Sequence, residues 1–228
     1  MNAIRDNYLK KENTWNVTKK IDFSSSRKFS AVSFENEGSY KIDWGDGTID
    51  SEKNHKYEIA GTYNVKIYGS STGIMSKSKY VNKIVVFTDI TISCKENTGI
   101  EEFESHNLTS VSAQAFFGCS KLSKVSFDDK LKTIEFEAFD LCNLSRVAIP
   151  GSVTLIEDKA FEENSSLSIV DLTSFTDPNA IPTLGPGVFS SCSPYLKFYV
   201  SSVTMKEAFN TSWSAYSGKF TTDPVPSL

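Results

Sequence analysis

The sequence predicts a mainly β protein in two parts: an antiparallel β-sandwich over residues 14–82, and a short solenoid with a small capping helix over 83–228. Three observations carry this. Short runs of alternating apolar and polar residues, divided by turn residues, fill the first third of the chain. One pattern then recurs through the second half at intervals of 23, 22 and 28 residues. The charge also changes character, from 14 Lys/Arg against 11 Asp/Glu over residues 1–90 to 10 against 17 over residues 91–228.

After a polar tail at residues 1–13, "KFSAVSF" (28–34), "YKIDW" (40–44) and "TYNVKIYG" (62–69) each alternate with period two. Such runs form half-buried antiparallel strands. In the second, Tyr40, Ile42 and Trp44 are expected inward, with Lys41, Asp43 and the later Asp50 facing water. Gly45-Asp46-Gly47-Thr48 is a hairpin turn, because Asp-Gly tolerates positive φ. The aspartates do not fit a helix-flanked calcium loop: counting from Asp43, Gly45 and Gly47 stand where oxygen ligands are required. A weak calcium site near Asp43 and Asp46 stays open as a lesser alternative. His55 is expected beside Tyr57. "IDWGDGT" followed by "HKYEIAGTYNVKIYG" resembles the PKD-like (polycystic-kidney-disease) immunoglobulin-type sandwich, through Trp44–Thr48, His55, Tyr57, Gly61, Tyr63, Val65 and Ile67. That resemblance implies a spacer or interaction module and no catalysis.

The repeats align on Ala115, Ala138, Ala160 and Val188. Seven residues before each stand Leu108, Leu131, Val153 and Ile181; four before stand Val111, Ile134, Ile156 and Leu184. Phe116, Phe139, Phe161 and Phe189 follow directly. Cys119, Cys142, Asn164 and Cys192 stand four residues after the anchor. Val125/Phe127, Val147/Ile149, Val170/Leu172 and Phe198/Val200 close the units. A period of about 20–29 residues with such columns is the mark of a leucine-rich repeat, whose units bury their apolar faces only by stacking. The long third interval holds a loop at "TSFTDPNAIP" (173–182). Phe103, 12 residues before Ala115, marks weaker entry rungs of undetermined number. The motif is similar to the BspA-like leucine-rich repeat at Ala138, Phe139, Cys142, Leu144, Val147, Ile149 and Pro150. The ending also resembles that family's, with a helix near Met205–Asn210 and Trp213 and Tyr216 closing the last repeat.

Chemistry is sparse. Three of the four cysteines share one inward column, so free buried thiols are expected, with Cys94 undetermined. "GSSTG" (69–73) matches a nucleophile elbow in letters only, since no strand-to-helix turn or triad follows it. His55 and His106 lie in different modules and have no visible metal-ligand partner. The N-x-S/T sequons read as coincidental. The acids Glu101, Glu102, Glu104, Glu157, Asp158, Glu162 and Glu163 form a solvated face, or else one that meets a cation-rich partner. No basic stripe exists to bind nucleic acid. No apolar run approaches the roughly 18 residues of a membrane helix. No secretory leader is visible in the opening residues.

The expected function is therefore non-catalytic binding or adhesion, without cofactor or metal, by a chain that is a monomer. The resemblance implies an extracellular or surface location, lipid-anchored or secreted, and a host, neighbouring-cell or extracellular-matrix protein as partner. The recognition surface is expected on the solenoid sheet, at the outward positions Ser126, Ala148, Asp171 and Tyr199, with Asp171 and Tyr199 as the main contacts. Glycan capture through Trp15 or Tyr68, as an accessory of a polysaccharide-uptake system, and a purely structural spacer are the alternatives.

Overall fold

A computed structural model describes residues 13–20, 28–30, 40–52, 54–56, 62–69, 73–75, 81–86 and 91–227. Its repeat region is a β-solenoid of about six turns with a small C-terminal helix. Parallel ladders run along it. One joins Ser110–Val111, Thr133–Ile134, Leu155–Ile156 and Thr183–Leu184 in register. Along the other side, Glu102–Ser105 pairs with Lys124–Ser126, and a separate ladder joins Arg146–Ala148, Ile169–Asp171, Lys197–Tyr199 and Phe220–Thr221.

The repeat columns supply the core. Val111, Ile134, Ile156, the three anchor alanines and Val188 are fully buried. Phe116, Phe139, Phe161 and Phe189 form one parallel stack, with successive centroids 5.3, 5.4 and 5.5 Å apart and planes within 8°. Offset stacking of this kind adds to the burial of each ring. Phe103 extends the stack at one end, at 4.6 Å from Phe116.

The Cys/Asn column explains itself through the backbone. Each turn leaves the carbonyl of the stacked phenylalanine facing inward, and a buried carbonyl needs a donor. Cys142 Sγ donates to Phe116, Asn164 Nδ2 to Phe139 and Cys192 Sγ to Phe161. Asn164 also accepts the Leu144 N–H at 3.0 Å. All four cysteines are free, and Cys119 donates to the Cys94 carbonyl at 3.1 Å. That bond identifies an earlier rung: Cys94 occupies the phenylalanine position, and buried Asn97 the Cys/Asn position.

The phenylalanines are bracketed by left-handed backbone. Gln114, Glu137, Lys159 and Gly187 have positive φ on one side; Glu96, Gly118, Leu141, Glu163 and Ser191 have it on the other. Only Gly118 and Gly187 are residues that adopt it without cost.

The insertion at 173–182 is a docking element. Phe175 is buried and meets Phe209 of the helix Val203–Ser212 edge-on at 5.5 Å. Pro182 accepts from Trp213 Nε1 at 2.9 Å. The helix begins at Ser202, whose hydroxyl accepts the Met205 N–H. Trp213 and Tyr216 close the end of the phenylalanine stack at Phe189, as the sequence predicts, and Phe220 stacks on Phe198 at 4.9 Å.

At the other end the sheet does not stop. Val81–Val86 pairs in parallel with Glu102–Ser105 and antiparallel with Asn13–Lys20. Asn13–Lys20 pairs with Thr62–Gly69, which pairs with Tyr40–Asp43 and so reaches Ile49–Asp50. One sheet therefore passes through the boundary placed at residue 82. Much of the expected sandwich, including residues 31–39 and the side chains of Trp15, Tyr40, Tyr63, Val65, Ile67 and Tyr68, lies outside the described residues.

The turn after Tyr40–Asp43 is described. Gly45 and Gly47 take positive φ as expected. Asp43, expected in water, is buried at 4% exposure, because its carboxylate accepts the Gly45 N–H at 3.0 Å. Asp46 accepts from Thr48 and meets His55 Nε2 at 2.7 Å. Burial pushes the Asp46 carboxyl up, but the Thr48 N–H and His55 outweigh it and hold it below the usual value. Asp50 accepts from Trp44 Nε1. His55 stacks on Trp44 at 4.8 Å; Tyr57, its expected neighbour, lies outside the described residues. The aspartates wire the turn.

Candidate recognition face

Along the rung strands the inward positions are Phe103, Val125, Val147, Val170 and Phe198, so the residues on either side of each face outward. Ser126 and Ala148 are exposed there, as predicted. Asp171 is half-buried and meets Arg146 Nη2 at 3.3 Å. Tyr199 corrects the expectation: it lies on the outward side yet is only 7% exposed, so it is no free aromatic contact.

The end of the chain returns to this face. Beyond Phe220–Thr221, the Asp223 N–H is held by Thr221 Oγ1, which turns the chain off the strand. Five residues after Thr221, the Pro226 carbonyl accepts from Arg146 Nη1 at 2.8 Å. The segment thus runs from the last strand back toward the Arg146 guanidinium, and Tyr199 stands on the strand beside Thr221.

The opposite end of the face is charged. Lys83 lies between Glu102 and Glu104, at 3.3 and 3.1 Å, and Lys124 meets Glu102 at 3.6 Å. His106 meets Glu104 at 2.8 Å. The Glu104 hydrogen bond holds the Lys83 ammonium above its usual value, and Lys83 with His106 holds the Glu104 carboxyl below its own. Spacing alone did not disclose this cluster, because Lys83 belongs to a strand outside the aligned repeats.

The expected acidic face is largely committed to the scaffold. Glu157 accepts the Phe136 N–H, and Glu135 accepts from Ala113 and Ser110. Glu162 pairs with Lys159 at 3.0 Å. Asp140, which no sequence motif marks, is 6% exposed and has an Oδ1 without a hydrogen-bond partner. Burial, reinforced by Glu162 and Glu137, pushes its carboxyl up to about 6. Among the described residues no cluster of three or more His, Cys, Asp or Glu is arranged to hold a metal ion.

Comparison with known families matches the BspA type leucine rich repeat region to residues 88–213, in six copies. No curated protein matches the chain. Among solved structures, a leucine-rich repeat protein from Bacteroides ovatus is 22% identical with a TM-score of 0.41, over 53% of this chain and 37% of that one. The T. pallidum leucine-rich repeat protein is 22% identical with a TM-score of 0.41, over 57% and 63%. A leucine rich cell surface protein from Faecalibacterium prausnitzii is 18% identical with a TM-score of 0.33, over 70% and 57%. The chain spans less than two thirds of the length of each.

Proposed function

Because the chain belongs to the BspA-type leucine-rich repeat family, we propose that it is a non-catalytic binding protein of the cell surface or extracellular space, whose solenoid sheet face recognises another protein. One observation carries this reading. The Cys/Asn column of the repeats is consumed by the backbone, whereas the outward face keeps exposed Ser126 and Ala148 beside paired charges of both signs. A flat strand surface with small side chains and charged neighbours suits contact with a protein surface. The N-terminal strands, on this reading, form a PKD-like module that holds the solenoid away from its anchor. Among the described residues no helix is long and apolar enough to cross a membrane.

The test offers the purified chain to a panel of extracellular-matrix proteins and, in parallel, to a glycan array. Saturable protein binding is expected. It should weaken at least tenfold in Ser126→Arg and Ala148→Arg, with unfolding temperature unchanged. Binding confined to glycans, or protein binding indifferent to both substitutions, would remove the sheet face from the reading.

A further inference from the structure

We propose that the lane across the outward sheet face, bounded by Arg146, Asp171 and Tyr199, is a binding site for extended proline-containing peptides of a partner protein, and that residues 223–227 occupy it as an internal stand-in. The proposal rests on the sheet face being a protein-recognition surface and names the kind of segment it takes.

The first argument is the path. Neighbouring strands lie about 4.8 Å apart, and the segment crosses between two and three spacings, about 10–14 Å. Five residues reach at most about 17 Å fully extended. That reach is enough for the crossing, which passes the Lys197–Tyr199 strand, where an outward tyrosine has lost its exposure.

The second argument is the chemistry of the hold. Pro224 and Pro226 lack an N–H, so the segment cannot add to the sheet as a strand. What such a segment offers is carbonyl oxygens. The lane answers with a guanidinium that donates to the Pro226 carbonyl and is itself held by Asp171. An aromatic beside a donor is the usual answer to a proline-rich extended chain, whose shape is set before binding and costs little entropy to fix.

The third argument is how lightly the occupant sits. Thr222, Asp223 and Pro224 are exposed, Val225 is half-buried, and Pro226 and Ser227 are exposed again. None of these residues belongs to the buried core. A segment outside the core can leave without unfolding the solenoid.

The test uses the full-length chain with residues 223–227 replaced by glycine and serine, and the peptide of residues 221–228 supplied free. The replaced chain should bind the peptide saturably, the native chain at least tenfold more weakly. Adding Arg146→Ala to the replaced chain should weaken binding about tenfold, and a peptide with both prolines changed to alanine should bind less tightly. A second measurement needs no replaced segment. A dye on Ser227→Cys of the otherwise native chain should lose anisotropy when unlabelled peptide is added, and should start low when Arg146→Ala is also present. A folded replaced chain that ignores the peptide overturns the proposal, as does a dye indifferent to both peptide and Arg146→Ala. Dimers formed by exchange of the segment would overturn it in favour of a second copy as the occupant. The matrix-protein assay at Ser126 and Ala148 is independent, so failure there and failure here are told apart.

Discussion

The two sides of the same rung strands obey different rules. Inward, each position repeats its chemistry from turn to turn: a phenylalanine, then a donor three residues on, then a strand apolar residue. Outward, the equivalent positions Glu102, Lys124, Arg146, Ile169 and Lys197 hold an acid, three bases and an apolar side chain, so no one side chain recurs. The difference follows from what each side faces. An inward side chain meets its own equivalents above and below, so one shape must tile. An outward side chain meets water or a partner, which imposes no period.

Substitutions can break that contrast. Phe139→Ala, in the middle of the stack, is expected to cost about 3–5 kcal/mol, because rings on both sides at 5.3 and 5.4 Å lose contact; denaturant unfolding measures it. A cost under about 1 kcal/mol would mean the stack does not act as a unit. Asn164→Leu keeps the volume but strands the Phe139 carbonyl and the Leu144 N–H, and is expected to cost about 2–4 kcal/mol. Asn164→Cys should recover part of this, since the neighbouring rungs use a thiol for the first of those bonds.

Asp140 is the inward exception and predicts a gain. Its folded carboxyl lies at about 6, above the unfolded value of about 3.9. Its protonated form is therefore favoured by folding. The stability this supplies is full below about pH 4 and is lost as pH rises through about 6. Asp140→Asn should raise stability at pH 7.5 by about 1–2 kcal/mol, change it little at pH 4, and flatten the melting-temperature profile between. An unchanged profile would place the group in solvent. Smallest is the outward control: Lys124→Ala removes an exposed pair with Glu102 and should shift stability by no more than about 0.5 kcal/mol.

What was legible in the sequence divides along the same line. The four aligned rungs and the closing helix could be read because tiling repeats the same side chain at the same interval. The rung before them was legible only at Phe103, because Cys94 stands where phenylalanine is expected and Asn97 where cysteine is, so the column shifted identity twice. Tyr199 was misread for another reason. Alternation gives the face of a strand but not whether a side chain on that face stays open to water, and Tyr199 is only 7% exposed. Asp43 failed by alternation too, since a carboxylate that accepts a nearby N–H is satisfied without water.

The donor column has a consequence for handling and for survival in an oxidising place. Burial pushes the Cys119 and Cys192 thiols up to about 12 and Cys142 well above its usual value. At neutral pH the reactive thiolate is then on the order of one part in a hundred thousand for the first two. These sulfurs serve as hydrogen-bond donors and are nearly absent as nucleophiles. The folded solenoid should therefore resist thiol-directed reagents at neutral pH and react with them only on unfolding.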